Sequence, residues 1–348
     1  MDINDLTFGV ELEFEVPTSV SSRAFIQSMN LPNDIAVISE RYNHVTKNHW
    51  KLTTDGSLVY GYELVSPILK GEEGLEQIRR ILDCLANTPA FIKSNCGFHV
   101  HVGVPKDHHK NLEFFKNLVY LYRQFEDSIF DPMMPKSRRG NYNSYCKTFD
   151  KTNLKGLVFA QNLKTMSEII NENDRYAKLN LKSFWLHGTV EFRHHSGTLD
   201  FDKIKNWIDI CRYLVVASLT KNDIVPSLPL KEDLITRISS VIYSWCGRYS
   251  DVCISFFESS FDKGMTDEDF GFYVGRGYNG RGNLRQFLRK YSIPYKVYRK
   301  NKKVYYKLLY REYQDETKYD LNTFQNLTSI PMSNIMYIRQ RIDNFKVD

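Results

Sequence analysis

The sequence predicts an α+β fold in which helices flank a largely antiparallel β-sheet. Stretches of period-two alternation and stretches of helical spacing follow one another in an irregular order, without the regular repeat of a parallel α/β protein. Asp55-Gly56 separates two extended stretches, and this dipeptide is a strong hairpin signal. The predicted elements therefore favour antiparallel neighbours over a doubly wound sheet.

The stretch from Phe8 to Val16 has the clearest strand alternation. Glu11, Glu13 and Glu15 share one face, and the apolar residues between them share the other. Neighbouring carboxylates repel one another, so a chain that keeps them together is expected to neutralise them with cations such as Mg²⁺ or Mn²⁺. A solvated edge strand, in which glutamate is merely the polar residue, is the alternative.

Three further predicted strands carry polar residues of complementary chemistry. The first of these strands contains Glu63. The second contains His99 and His101, which are two positions apart, and the third contains Glu191 and Arg193 at the same spacing. Any one of these patterns alone is typical of an ordinary surface strand. Four such segments in one chain favour a shared polar site.

Helical spacing extends from Gly74 to Leu85, from Asn111 to Phe130 and from Phe201 to Leu219. Residues 136–156 form a polar, glycine-containing loop of the kind that covers a site. No apolar run is as long as a membrane span, and the N-terminus is acidic where a secretory signal is basic. We expect a cytoplasmic protein without membrane association.

The net charge of +6 is unevenly distributed. Residues 272–311 contain twelve Lys or Arg and no Asp or Glu, and residues 272–348 together carry +10. The first 271 residues therefore carry −4. This asymmetry predicts two functional regions.

Five motifs occur in an order that resembles the amidoligase family, a branch of the carboxylate-amine ligase superfamily that includes glutamine synthetase and glutamate-cysteine ligase. The resemblance covers about Thr7 to about Leu219. The motifs are Gly-Val-Glu-Leu-Glu-Phe; Thr-Thr-Asp-Gly-Ser-Leu with Glu-Leu-Val-Ser-Pro; Cys-Gly-Phe-His-Val-His-Val; Arg-Tyr-Ala-Lys-Leu-Asn; and Thr-Val-Glu-Phe-Arg-His-His-Ser-Gly-Thr.

The resemblance implies a glutamine-synthetase-like sheet, curved into a half-barrel, whose concave face holds divalent metal ions and ATP. Residues 1–225 would form the catalytic domain, and residues 226–348 a basic, Tyr-rich α+β extension that binds substrate or partner. Arg193 would meet the transferring phosphoryl group, and Glu191 and His101 would also serve catalysis. The resemblance implies these metal ligands: Glu11, Glu13, Glu63, His99 and Glu191. It also implies four residues that contact nucleotide or substrate: Arg138, Arg139, Arg175 and Asn180. Asp55 lies in a matching motif as well.

The implied reaction suits these residues. A carboxylate is a poor electrophile, so amide formation in water requires its conversion by ATP into an acyl phosphate, which an amine then attacks. Phosphoryl transfer requires mainly positioning and charge neutralisation by Mg²⁺ and an arginine. The substrates would be a carboxylate and an amine, either as small molecules or as side chains of a peptide or protein.

Two alternatives remain at this point. A metal-dependent hydrolase would use the same Glu and His face to activate water, and it would work without nucleotide. The basic stretch 272–311, with its interspersed tyrosines, would suit a nucleic acid or another acidic macromolecule. A solvated hairpin is the simpler explanation of that stretch.

Overall fold

The computed structural model describes residues 1–148, 157, 160, 162–170, 175–221, 224, 231–274, 284–291, 293–310 and 320–343. The chain divides into two compact units: Met1–Ile224 with Tyr319–Asp348, and Val225–Lys318. The final segment, which the sequence analysis placed in the region 226–348, thus groups with the first unit. The functional roles given to the two regions remain predictions.

The first unit contains an open, mostly antiparallel sheet. Its strands lie in the order β2-β3-β4-β1-β6-β8-β7, and β5 pairs with β1. Among the described pairings, β2 and β3 are parallel and the others are antiparallel. The strands are β1 (Thr7–Glu15), β2 (Val37–Ser39), β3 (Trp50–Thr53), β4 (Gly61–Val65), β5 (Leu69–Lys70), β6 (Gly97–Gly103), β7 (Leu179–Asn180) and β8 (Thr189–Ser196). The α+β prediction with a largely antiparallel sheet is confirmed.

The strand register brings the predicted polar residues into neighbouring positions. Glu13 lies opposite Glu63, and Glu11 lies opposite His99. Glu191 lies opposite His101 on one side and opposite Asn180 on the other. Residues opposite one another on antiparallel strands point to the same face. The acidic and imidazole side chains of four strands therefore share one face of the sheet.

Strand β8 contains a β-bulge, and its side chains before and after the bulge have different surroundings. Phe98 pairs with His195 and Val100 pairs with Phe192, so two residues of β8 oppose the single residue between them on β6. After the bulge, His195 packs against the rings of Phe98 and Trp207. The bulge thus ends the polar row of β8 after Arg193.

Helices complete both units. In the first unit, α1 to α6 are Ser22–Ser28, Gly71–Leu85, Leu112–Phe125, Leu163–Ile170, Lys182–His187 and Phe201–Thr220. The second unit contains α7 to α10, which are Lys231–Cys246, Ser250–Lys263, Asp267–Tyr273 and Leu284–Lys290. The first unit ends with α11 (Leu321–Thr328) and α12 (Met332–Gln340). None of the helices in the described ranges has the length and apolar character that crossing a membrane requires.

The apolar face of the sheet packs against α3 and α6. Tyr122 of α3 contacts the ring of Phe192, and Trp207 of α6 is fully buried. These contacts remove large aromatic surfaces from water, and they fix the opposite, polar face toward a cavity.

The alternation from Tyr176 to Phe184 predicts a single strand, and this prediction is wrong for all but two residues of the stretch. Only Leu179–Asn180 is a strand, and α5 begins at Lys182. The backbone N–H of Lys182 donates to Oδ1 of Asn180 at 2.9 Å, a local bond that turns the chain out of the extended conformation.

The second unit also contains a two-stranded hairpin of β9 (Tyr295–Lys300) and β10 (Lys303–Leu308). Its turn at Asn301 and Lys302 confirms the hairpin predicted from the sequence. Phe257, Phe270 and Phe287 form a buried aromatic cluster between the helices of this unit. The glycine-rich stretch of the sequence lies largely outside the described residues, since 275–283 are not among them.

Candidate functional site

A cavity of about 760 Å³ lies in the first unit, along the polar face of the sheet. Its walls include ten of the eleven site residues that the sequence predicts: Glu11, Glu13, Glu63, His99, His101, Arg138, Arg175, Asn180, Glu191 and Arg193. Asp55 also lines it. Arg139 is not among the lining residues, and its Nε donates instead to the carbonyl of Met134 at 2.8 Å.

Glu11, Glu13, Glu63 and Glu191 form what we call the carboxylate cluster, and Glu11 is at its centre. Its Oε2 lies 2.8 Å from Nδ1 of His99, and its Oε1 lies 3.2 Å from Nε2 of His101. Burial opposes ionisation of Glu11, but the two imidazoles outweigh it and hold the pKa of Glu11 well below its usual range. Glu11 is therefore an anion at neutral pH.

Glu191 is held from two sides. Nη1 of Arg193 donates to its Oε1 at 2.5 Å, and Nδ2 of Asn180 donates to its Oε2 at 2.6 Å. Burial raises the pKa of Glu191, but the charges of Arg193 and His101 outweigh burial and lower it. The same cluster raises the pKa of His101 against the effect of burial.

Glu63 has no cation beside it among the described residues. Burial, followed by the charges of Glu11, Glu13 and Asp55, raises the pKa of Glu63 well above its usual range. Glu13 is bound more firmly: its Oε2 accepts from the backbone N–H of Gly97 at 2.6 Å, and its Oε1 lies 3.5 Å from Nε2 of His99. The cluster therefore holds one carboxylate whose ionisation requires additional positive charge.

These donors fit hard divalent cations. Glu11, Glu63 and His99 each offer a ligand atom within 4.8 Å of the others, and Glu11, His101 and Glu191 form a second such group. The carboxylate oxygens in these groups are the kind of ligand that suits Mg²⁺ or Mn²⁺, and a cation beside Glu63 would favour its ionised form. Glu11 belongs to both groups, and His101 appears as a further donor, a role that the sequence analysis did not assign to it.

Glu15 lies on the same strand face as Glu11 and Glu13 but has a different role. Its carboxylate accepts from the backbone N–H groups of Val59 and Tyr60 and from Nδ2 of Asn95. Burial opposes ionisation, but these donors outweigh burial and lower the pKa of Glu15. The third glutamate of the alternating strand therefore ties the loop before β4 to the sheet.

Two arginines that line the cavity each have an unused hydrogen-bond donor. Among the described residues, the buried Nε atoms of Arg138 and Arg193 have no hydrogen-bond acceptor. Gly97 makes room for Arg138, because a Cβ there would lie 2.5 Å from Nη2 of Arg138 and 2.8 Å from Nε2 of His99. A buried guanidinium N–H without an acceptor is costly, so an anionic ligand would compensate for it.

Three of the lining residues that were not predicted from the sequence bear on the chemistry of the site. Lys51 is buried, and its ammonium donates to the backbone carbonyl of Asn43 at 2.7 Å. The hydroxyls of Ser183 and Thr189 each lie 3.1 Å from Nδ1 of His101 and so orient its ring. Period-two spacing puts Lys51 on the face of Thr53, but only the strand order shows that this face adjoins the cluster.

A second group of acidic residues, in the helical turns that follow α3, is an ion-pair network. Nζ of Lys178 donates to Glu126 and to Asp131, each at 2.7 Å, and all but 1% of the Lys178 side chain is buried. Nε2 of His194 lies 2.8 Å from Oδ1 of Asp131, and the Tyr122 hydroxyl lies 2.8 Å from His194 Nδ1. A lysine thus already supplies the cation at this group, which anchors the segment that carries Arg138 to the strands of the site.

The comparison with protein-family models agrees with this geometry. A model described as "putative amidoligase enzyme" matches residues 4–215, which include the whole carboxylate cluster. No curated protein matches the chain. Because the match covers more than half of the 348 residues, the chain belongs to the amidoligase family.

Proposed function

We propose that the protein is an ATP-dependent carboxylate-amine ligase that works through an acyl phosphate on a divalent-metal face. Membership of the amidoligase family indicates ligase activity. The observation that supports the finer proposal is the combination, along one cavity, of a carboxylate cluster and two arginines whose Nε donors have no acceptor among the described residues. A metal-bound polyphosphate is the ligand that matches both, because its metal ions suit carboxylates and its oxygens suit arginine.

In the proposed first step, an oxygen of the carboxylate substrate attacks the γ-phosphorus of ATP. The bond to the β–γ bridging oxygen breaks, and ADP leaves. Arg193 would donate to the transferring phosphoryl group, and Arg138 would bind another phosphate oxygen. Asn180 would keep Glu191 in place throughout, because its amide holds the second oxygen of that carboxylate.

In the proposed second step, the amine attacks the acyl carbon and inorganic phosphate leaves, which forms the amide. Glu11, Glu13, Glu63, His99 and Glu191 would hold Mg²⁺ or Mn²⁺, which neutralises phosphate charge when bound. His101, oriented by Ser183 and Thr189, would accept the proton that the amine loses. A glutamine-synthetase-like curvature of the sheet and cytoplasmic location belong to the same proposal.

The test requires only the purified chain. With Mg²⁺ or Mn²⁺ and ATP, a panel of amino acids and amines should yield ADP and phosphate only where an acid and an amine are both present. Hydroxylamine in place of the amine should trap the acyl phosphate as a hydroxamate. ATP consumption that does not depend on any carboxylate would contradict the proposal.

Glu13→Gln and Glu191→Gln test the role of the cluster, and Glu76→Gln is a matched control. Glu76 is an exposed residue of α2 whose weak partner is Arg79, so its change should leave turnover as it is. Equal turnover in all three variants would exclude the cluster from catalysis. Turnover of an amide or ester without nucleotide would instead favour the metal-dependent hydrolase.

A further inference from the structure

Among the described elements of the second unit, the hairpin Tyr295–Leu308, which we call the basic ribbon, carries the largest net charge. It contains six Lys or Arg and no Asp or Glu. Its base is fixed: Tyr306 is buried and exchanges two backbone hydrogen bonds with Met265, at 2.8 and 2.9 Å. Every residue from Arg299 to Val304 is exposed. The tip of the ribbon therefore extends into solvent.

The cross-strand register places like charges opposite one another. Lys300 pairs with Lys303 and Lys296 pairs with Lys307, on the same face as the Tyr298–Tyr305 pair. The two tyrosine rings stack with centroids 5.3 Å apart. Like charges directly opposite on a hairpin destabilise it. Among the described residues, Glu268 pairs with Lys303 in a fully exposed contact, and no carboxylate pairs with the other three lysines.

The turn has a second costly feature. Asn301 and Lys302 both have positive φ, 50° and 62°, as a two-residue type I′ turn requires. Asparagine accepts this conformation, but glycine is strongly favoured at the second position because a side chain there is strained. The ribbon therefore has a lysine at a turn position where glycine would be less strained.

Stability does not account for these choices. A lysine on an exposed edge protects a strand from aggregation, but this purpose requires neither opposed lysine pairs nor a left-handed lysine. Charges also lie on both sides of the ribbon: Arg299 is on the face opposite Lys300, and Lys302 is at the tip. A partner must present anions on two sides of a thin two-stranded element.

We propose that the basic ribbon binds double-stranded DNA by entering the major groove. That groove is about 12 Å wide, it admits a two-stranded ribbon, and phosphates line both of its edges. An acidic peptide on the face of the lysine pairs would leave Arg299 on the other face unmatched. This binding is independent of the ligase reaction.

The experiment measures fluorescence anisotropy of a labelled 16-base-pair duplex of mixed sequence with the full chain, as salt concentration is raised. The triple variant Lys300→Gln, Lys302→Gln, Lys303→Gln should lose at least tenfold in affinity at 100 mM salt. The slope of log affinity against log salt should decrease by about 3. The double variant Lys70→Gln, Lys110→Gln changes exposed lysines elsewhere and should bind as the parent does.

Lys302→Gly separates binding from folding. It should leave the melting temperature the same or higher, because glycine suits the turn, yet it should weaken duplex binding and decrease the salt slope by about 1. Absence of duplex binding at 50 mM salt would overturn the proposal, as would equal losses in the Lys70 and Lys110 control. Tighter binding of polyglutamate or of single-stranded DNA than of the duplex would overturn it in favour of those partners.

Discussion

The carboxylate cluster of the first unit and the basic ribbon of the second unit are both dense in charge, but they treat charge in opposite ways. In the cluster, buried side chains are bonded to one another: Glu191 has Arg193 and Asn180, and Glu11 has two imidazoles. In the ribbon, most lysines are exposed, and Lys303 is the one lysine with an acidic partner among the described residues. Which charged groups meet in the cluster therefore depends on strand register, whereas the excess of basic residues in the ribbon can be counted from the sequence alone.

The largest expected effect comes from a substitution of Glu191 in the carboxylate cluster. Glu191→Gln keeps the shape but removes the charge that lies beside His101 and Arg193. We expect kcat of the ligase reaction to fall by roughly 10³-fold, because the residue is placed to hold metal and to position Arg193. Steady-state ADP release with the substrates found in the panel measures it. A fall of less than tenfold would contradict the assignment.

Lys178→Met should cost about 3 kcal/mol or more of the free energy of unfolding. It would remove the ammonium group that donates both to the buried Glu126 and to the half-buried Asp131. Lys205→Met is the control, because Lys205 is 38% exposed and pairs with Asp209, which Arg212 also contacts. The control should cost less than about 1 kcal/mol. Urea unfolding measures the free energy of unfolding of both variants. Equal losses would show that the cost of removing the lysine does not depend on its burial.

Acid should destabilise the first unit through His195. Burial lowers the pKa of His195 to about 3, although its Nδ1 donates to the carbonyl of Ser196 at 2.6 Å. Between an unfolded pKa of about 6.5 and this value, the unfolded chain binds a proton that the folded chain does not, so stability decreases as pH falls.

At pH 5 the loss due to His195 alone should reach about 2 kcal/mol relative to pH 7. Glutamine has no titrating group, so His195→Gln should flatten the dependence of the unfolding free energy on pH by this amount. Urea unfolding of parent and variant at pH 7, 6 and 5 gives the difference. Parallel curves would contradict a neutral buried imidazole.

The smallest expected effect is a change in stability at the turn of the basic ribbon. Lys302→Gly should raise the free energy of unfolding by up to about 1 kcal/mol, because glycine adopts the left-handed conformation without strain. Lys303→Gly, at a regular strand position, should lower it instead. Thermal melts of the two variants give the signs, and a loss in both would show that the turn is not strained.

Period-two spacing in the sequence was enough to predict the polar faces of β1, β6 and β8 and the hairpin turn at Asn301. It could not predict which strands are neighbours, because strand order depends on packing of the whole chain. For this reason Lys51 was missed and Glu15 could not be distinguished from Glu13, although both glutamates alternate in the same strand. Family resemblance supplied the site residues, and the structure places all of them except Arg139 on the cavity wall.

The central claim is that the carboxylate cluster binds divalent cations that then bind nucleotide, and titration of Mn²⁺ followed by electron paramagnetic resonance tests it directly. We predict that the parent protein binds more than one Mn²⁺, that a non-hydrolysable ATP analogue tightens this binding, and that Glu11→Gln weakens both effects because Glu11 belongs to both donor groups. Unchanged Mn²⁺ binding in Glu11→Gln, or absence of binding to the parent, would contradict the account.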